Sequence, residues 1–299
     1  MKLLWAIRPI FFVFALLCFA LVACNHDSKP ATAYKPVFIS DTLKNNTLLL
    51  GFPSFSYSET AEPLVRYLNA RLSGIHVKMK ACVSFDEYVD YLNHNKFDFT
   101  LINGIQAVDA SNKGYSIIGK VIDDDKYAGV IFIRKDAGIK KITDLKGKTV
   151  ALFPSKTVPG TMMPLYYLYQ NGLNVNSDII RVNVSSFESA IIATYIDKSK
   201  AGMCLKRSWD VYIKNHPEIL SKVEVKWQTP VLINNALLIK NSMDTAVSAQ
   251  LMNLLFSMQT TMDGKAALNK LQFTGFKKAD QGTYKPMIDF KRRYDAVIH

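Results

Sequence analysis

From Thr47 onward the chain alternates short apolar runs with stretches of helical period, and it passes through that cycle twice. Thr47-Leu-Leu-Leu-Gly-Phe-Pro53 ends in glycine and proline, which predicts a buried strand. Ser58 then opens a stretch in which Ala61, Leu64, Val65, Leu68 and Leu72 recur at three- and four-residue spacing, so one helical face is apolar. Ile75, Val77, Met79 and Ala81 alternate as a strand. Ser84-Phe-Asp-Glu87 reads as a capping box above a helix that buries Phe85, Tyr88, Val89 and Leu92. Phe97-Asp-Phe-Thr-Leu-Ile102 predicts a third strand, stopped at Asn103-Gly104. Two further β-rich runs, Tyr115 to Ile122 and Tyr127 to Arg134, flank the acidic turn Asp123-Asp124-Asp125-Lys126, and the second is expected to cross into a new lobe. There the cycle repeats: strand Thr149 to Phe153, helix Thr161 to Gln170, strand Ile179 to Val184, helix Phe187 to Tyr195, strand Lys200 to Leu205, then a helix to Asn215. Val231 to Ile239 predicts a strand returning to the first lobe, which helices over Asp244 to Met258 and Asp263 to Lys270 and a basic C-terminal helix complete. Such alternation buries both strand faces only as a sheet covered by helices on each side. The expectation is two doubly wound α/β lobes, residues 47–133 plus 232–299 and residues 134–231, joined by two crossing strands with a ligand cleft between them.

The segment before Thr47 has a different character. Lys2 and Arg8 precede an apolar run from Pro9 to Ala23, shorter than the ~20 residues of a bilayer span, so residues 1–23 read as an export signal. The run ends in Leu21-Val22-Ala23-Cys24, which resembles the bacterial lipoprotein box, in which cleavage leaves a lipid-modified cysteine at the new N-terminus. An uncleaved anchor with an incidental Cys24 is the other reading. Residues 24–46 are polar with two prolines and read as a tether. Asn25, standing where many inner-membrane lipoproteins carry aspartate, leans the resemblance toward the outer membrane. Of the four cysteines, only Cys82 and Cys204 then remain. The compartment permits a disulfide, but strands in different lobes favour two buried thiols. Neither has a metal-ligand spacing, and the five histidines are scattered, so no metal and no cofactor is expected. A net charge of +12 favours anionic partners. The basic residues are dispersed as Lys140-Lys141, Lys206-Arg207, Lys277-Lys278 and Lys291-Arg292-Arg293 without a reading element, which argues against nucleic acid.

Ile142-Thr-Asp-Leu-Lys-Gly-Lys-Thr-Val-Ala-Leu-Phe-Pro154, followed by Gly160-Thr-Met-Met-Pro164 and Leu168, resembles the start of the second lobe of type II periplasmic binding proteins. With Pro63-Leu-Val-Arg-Tyr-Leu68, Tyr127, Ser186-Phe-Glu-Ser-Ala190 and Lys200-Ala-Gly202 in order, residues 47 to 290 are similar to the substrate-binding components of phosphate/phosphite/phosphonate ABC importers. The resemblance implies that fold and a ligand held by hydroxyls and helix N-terminal amides. The family's Ser-Thr-Ser-Gly turn corresponds to Ser155, Lys156, Thr157, Val158, Pro159 and Gly160. Its preceding aspartate corresponds to Phe153, and its histidine at the next helix start to Phe187, beside Glu188. Tyr127 fits the family's tyrosine near the crossing. Asn234-Asn235 replaces an Asn-Asp pair, and Lys206-Arg207 stands where an acid can meet a ligand amine, so an aminophosphonate is disfavoured. In the first lobe, Phe55 and Tyr57 after the first strand and Asn103 after the third lie where ligands of open α/β sheets settle. The candidate ligand-binding set is therefore Phe55, Tyr57, Asn103, Tyr127, Ser155, Lys156, Thr157, Glu188, Arg207 and Asn235, with lipidation at Cys24.

Three functional classes follow. The first is a monomeric, lipid-anchored solute-binding protein facing the periplasm, capturing a small anion for an ABC permease. The second is an envelope lipoprotein sensor or interaction module with a diverged cleft. The third is an enzyme, against which stands the absence of G-x-S-x-G, H-E-x-x-H and P-loop patterns.

Overall fold

A computed structural model of the chain describes residues 46–52, 57–153 and 157–299, with side chains described from Thr60 onward in the first helix. The expected signal, the tether and Cys24 lie outside the described residues.

The first sheet has the order β2-β1-β3-β10-β4-β11, formed by β1 (Thr47–Phe52), β2 (His76–Ala81), β3 (Phe99–Ile102), β4 (Tyr115–Val121), β10 (Ala236–Lys240) and β11 (Phe276–Lys278). β1, β2 and β3 are parallel, and β10 runs antiparallel between β3 and β4. The second sheet has the order β7-β6-β8-β5-β9, formed by β5 (Gly129–Arg134), β6 (Thr149–Leu152), β7 (Ile180–Asn183), β8 (Ala201–Leu205) and β9 (Val223–Gln228). Here β6, β7 and β8 are parallel, and β5 is antiparallel to both its neighbours. The two sheets share one logic: three parallel strands are followed by an antiparallel strand supplied by the chain as it arrives from the other lobe.

Strand alternation builds the second core. On β5, Ile131 and Ile133 join Val150, Leu152 and Met203 beneath α4 (Met163–Gln170). The intervening Val130 and Phe132 turn to the other face, against α5 (Phe187–Tyr195) and α6 (Lys206–Asn215). Phe132 stacks on Trp209 of α6 at 5.0 Å and lies over Gly202, where a Cβ would come within 2.4 Å of its ring. In the first lobe, Leu50, Phe99, Leu101 and Leu237 pack with α1 (Tyr57–Asn69), α7 (Thr245–Ser257) and α8 (Met262–Lys270). α2 (Phe85–Asn93) contributes Tyr88, whose ring stacks on Phe97 at 5.1 Å and whose hydroxyl pairs with the Thr100 hydroxyl. Cys82 and Cys204 are separate, buried thiols.

Several expectations need correction. Asn103 does not simply end β3: its side chain caps a further helix, α3 (Gly104–Ser111), accepting from the Ile105 and Gln106 amides. The edge strands β9 and β11 were not expected. β10 begins at Ala236 rather than Val231, because Pro230 offers no amide hydrogen and Asn234 spends its side chain on the crossing. At α2, Ser84 accepts from the Glu87 amide as expected, but the Glu87 carboxylate takes the Val83 amide at 2.5 Å, one residue ahead of the capping-box position. A π turn, Val158–Met162, precedes α4, which starts two residues later than expected. β5 pairs along its length with the second sheet, so the chain has already crossed at residue 129, not 134. The C-terminal helix α9 (Lys285–Asp295) touches both lobes. At its start Tyr284 and Met287 close on Gly104, where a Cβ would lie 2.1 Å from the Tyr284 ring. At its end Phe290 meets Tyr166 edge-on at 5.7 Å, and Ile298 enters the second core.

The two crossings, residues 122–128 and 229–235, bond to each other. Val121 donates to the Asn235 carbonyl, Leu232 to the Tyr127 carbonyl and Thr229 to the Gly129 carbonyl, at 2.9–3.1 Å. Lys120, 2% exposed, places its ammonium 2.5 Å from both Asp124 carboxylate oxygens, one of which also accepts the Asn234 amide. Asp123 accepts from the amide and hydroxyl of Thr274 and from Lys126.

Asp124→Asn should leave the buried Lys120 charge without its counterion and cost on the order of 3 kcal/mol, the low end for a broken buried pair because Asp124 is one third exposed. Chemical denaturation checks this, and the double variant Lys120→Met/Asp124→Asn should recover most of the loss. A second outcome concerns acid. Burial raises the Asp123 carboxyl, but the Thr274 amide, the Lys126 ammonium and the Thr274 hydroxyl outweigh it and hold its pKa below the usual range. Its contribution is therefore complete above the unfolded value of about 3.9 and fades as pH falls through the lower folded value. Melting curves of wild type and Asp123→Asn should differ at neutral pH, begin to approach each other below about pH 4 and coincide only below the lowered folded value.

Candidate functional site: a cleft at the helix N-termini

All the parallel strands of both sheets point their C-terminal ends toward the crossings, so the helices that follow them begin there. The first turns of α1, α2, α3, α5 and α6 and the π turn leading into α4 line one cavity of about 550 Å³. The lining residues are Thr60 from α1, Ser84 and Phe85 from α2, Asn103 before α3, Thr157 to Pro159 before α4, Ser185 to Glu188 around the start of α5, and Leu205, Arg207 and Ser208 around the start of α6. Each helix start carries a partial positive charge and amides without intrahelical acceptors, so their convergence makes a field for an anion.

Local sequence explains each placement. Ser186 caps α5 by accepting from the Ser189 amide, while Ala190 and Ile191 bury the helix underside, so Phe187 and Glu188 are left in the cleft. Trp209 pins α6 to the sheet, and the opposite face presents Arg207, Ser208, Val211, Tyr212 and Asn215 at helical spacing. Thr157 is steadied by Thr161, whose hydroxyl donates to the Phe153 carbonyl. Tyr127, buried, and Asn234 and Asn235 line the cavity from the crossings.

Basic groups dominate its charge. Among the described residues, Lys126, Arg207 and Lys270 line the cavity against one carboxylate, Glu188. An adjoining cavity of about 490 Å³ shares Lys126, Arg207 and Gln272 and adds Lys214 and Asp210. Asp210 is engaged by Lys206, and Lys126 by Asp123. Among the described residues, Arg207, Lys214 and Lys270 have no carboxylate partner. Arg207 instead reaches across from the second lobe: its guanidinium donates to the Gln272 carbonyl at 3.3 Å and lies 4.9 Å over the Phe273 ring. Gln272 follows α8 with φ of 57°, the left-handed position that ends a helix, so a cation from the facing lobe meets the carbonyl end of α8. Burial, then the charges of Glu218 and Glu188, raise the Tyr212 phenol above its ordinary value and keep it a neutral hydrogen-bonding group. Behind the wall, burial and Glu188 push the Cys204 thiol well up, so no thiolate nucleophile is available there. No group of three or more His, Cys, Asp or Glu able to hold a metal occurs among the described residues.

Of the expected ligand-binding residues, the structure brings Asn103, Tyr127, Thr157, Glu188, Arg207 and Asn235 to the one cavity. Phe55, Ser155, Lys156 and the Tyr57 side chain lie outside the described residues. Lys206 turns away to Asp210, so only one member of the basic pair faces the cleft. Sequence reasoning passed over Phe85, Lys126, Ser185, Tyr212, His216 and Lys270 as site residues. The α6 pattern 207, 208, 211, 212, 215 was readable as a face. The contributions of Lys126 and Lys270 depend on how the lobes meet.

A family model described as ABC transporter, phosphonate, periplasmic substrate-binding protein matches residues 51–284. The probable ABC-transporter phosphite-binding protein PhnD1 of Prochlorococcus marinus (strain MIT 9301) is 21% identical over 238 residues, 75% of this chain and 80% of its own. The crystal structure of that PhnD1 with methylphosphonate superposes with a TM-score of 0.75 at 18% identity, covering 84% of this chain and 98% of its own. A binding-protein component of a phosphonate ABC transporter from Pseudomonas aeruginosa also reaches 0.75 at 17% identity, covering 85% and 88%. A Xanthomonas citri protein bound to ATP reaches 0.70 at 18%, covering 85% and 100%. At these identities the superpositions speak for the fold, a type II periplasmic-binding-protein fold, and the family match speaks for descent. By its architecture and by a match across most of its length, the chain belongs to the periplasmic substrate-binding proteins of phosphonate ABC transporters, which are binding proteins and not enzymes.

Proposed function

We propose that the chain is the lipid-anchored solute-binding protein of an ABC importer, and that it holds a phosphonate- or phosphate-like anion in the cleft between its lobes. The observation that carries this reading is the convergence of six helix starts on a cavity lined by three cations, of which Arg207 and Lys270 have no carboxylate partner among the described residues. Family membership and the phosphorus oxyanions named with two of the superposed structures, methylphosphonate and ATP, support it. In this reading Asn103, Ser186 and the amides around them and around Thr157 donate to the oxyanion, and Tyr127 and Asn235 hold it at the hinge. A ligand bridging both walls favours the closed arrangement by the difference in its affinity for the two states. The protein then presents the closed form to its permease as a monomer, tethered through Cys24, with Asn25 directing it to the outer membrane.

A thermal-shift series on the full chain in detergent tests binding. At 100 times Kd a ligand adds about 2.7 kcal/mol, read as a rise of about 5–10 °C for a chain of this size. Methylphosphonate, phosphite or phosphate should give that rise, and flat curves with all three would end the reading. Arg207→Gln should weaken the best ligand by about 10- to 100-fold, the cost of a charge-assisted hydrogen bond. The anchor is checked separately: Cys24→Ser should move the protein from the membrane to the soluble fraction and abolish the added acyl mass.

A further inference from the structure

The largest rings of the cores and the rings of the cleft differ in how far they are covered. Phe97, Phe99, Phe132 and Phe276 are closed inside the lobes, each at most 2% exposed. Phe85, Phe153, Phe187 and Tyr212 are only half-buried, and all four line the same cleft, together with Tyr127 and the exposed ring of His216. An oxyanion needs donors and positive charge, and the apolar rings of Phe85, Phe153 and Phe187 offer it neither.

The rings are also placed with care. Phe187 rests on Gly160, where a Cβ would lie 2.2 Å from its Cζ, so only glycine there leaves the ring its seat. Phe153 meets Phe187 edge-on at 5.6 Å. Tyr212 stacks on His216 at 4.4 Å. Phe187 and Tyr212 rise from adjacent helices of the second lobe and pack on the same core layer, while Phe85 lines the cavity from the first lobe. A planar group entering the cleft therefore finds rings on both walls, with Arg207 and Lys126 beside it. The volume of 550 Å³ lies in the range that accommodates drug-sized ligands, about 300–1,000 Å³. It far exceeds what a phosphonate with one methyl group fills. Half-open rings on a cavity wall gain burial only when something apolar covers them.

We propose that the cleft selects a ring-bearing phosphorus oxyanion, an aryl or heteroaryl phosphonate or phosphate, over alkyl phosphonates. This rests on the reading that the cleft holds a phosphorus oxyanion, and it names the body to which that oxyanion is attached. The ring lies against Phe187 and Tyr212, and closure brings Phe85 onto its other face. The oxyanion meets the helix starts and Arg207.

Isothermal titration of the full chain with methylphosphonate and phenylphosphonate decides the matter. Phenylphosphonate should bind at least about tenfold more tightly, the return expected from stacking and apolar burial together. Phe187→Leu and Phe85→Leu, made separately on helices of different lobes, should each weaken phenylphosphonate about fivefold or more while leaving methylphosphonate within about twofold. Retained methylphosphonate binding then certifies that each variant is folded. Equal or tighter binding of methylphosphonate by the wild type would overturn the proposal and leave the oxyanion reading standing, as would variants that weaken both ligands alike. Binding of neither ligand would overturn the proposal, and silence of phosphite and phosphate as well would overturn the oxyanion reading with it.

Discussion

Two antiparallel crossings, bonded to each other and pinned by the buried Lys120 ammonium against Asp124, are what the rest of the molecule is built around. Lys120 sits on the last strand before the first crossing, Asp124 in the turn after it, and Asn234 on the returning crossing. A buried ammonium without its carboxylate would be far more costly than an apolar residue in its place, so the pair enforces one arrangement of the crossings. Each lobe then depends on the other for a strand: β5 completes the second sheet, and β10 is inserted into the first. Neither sheet closes without the crossing, and the cleft is the space the crossings leave between two sets of strand ends.

From that geometry the chemistry of the cleft follows with little further design. Parallel strands deliver their C-terminal ends, and hence the following helix N-termini, to one edge of each sheet. Two such edges facing each other double the number of amides and partial charges turned on a guest. Specific side chains then set what kind of guest. Among the described residues, the carboxylates near the cleft are engaged by cations, save Glu188, and the cations Arg207 and Lys270 are not engaged by carboxylates. Arg207 has a second role, since it caps the end of α8 from across the gap and so couples the lobes on the side away from the crossings. The C-terminal helix, resting on Gly104 at one end and Tyr166 at the other, is a third link. Movement of one lobe against the other must be accommodated at all three places.

Elements with clear periodicity were legible. α5 begins and ends where the pattern from Phe187 to Tyr195 places it, and the strands of the parallel trios fall within a few residues of their apolar runs. What escaped did so for identifiable reasons. α3 starts at Asn103-Gly104, a pair that signals a turn as strongly as a helix cap, and only the Asn103 side chain bonding to two amides decides between them. β11 is three residues long, too short to show any period. β9 alternates Val223, Val225 and Trp227 with charged and polar residues, a readable signal for an edge strand that was passed over. In the cleft, residues attached to motifs were found, and residues whose role is to face something distant in sequence were missed: Lys126, Tyr212, His216 and Lys270 join Asn103 only through the fold.

The sequence by itself determined two α/β lobes, the order of their elements, two crossings and the chemical bias toward an anion, because those rest on local period, capping residues and net charge. Only the tertiary structure decided that the strand from Gly129 already belongs to the second lobe, that the last helix spans both, that Arg207 and not Lys206 faces the cleft, and that rings from separate helices share one wall. The physical reason is the same in each case. Period and propensity act within a few residues along the chain, whereas burial of Lys120, the seat of Phe187 on Gly160 and the reach of Arg207 to Gln272 depend on contacts between segments that meet only when the chain has folded.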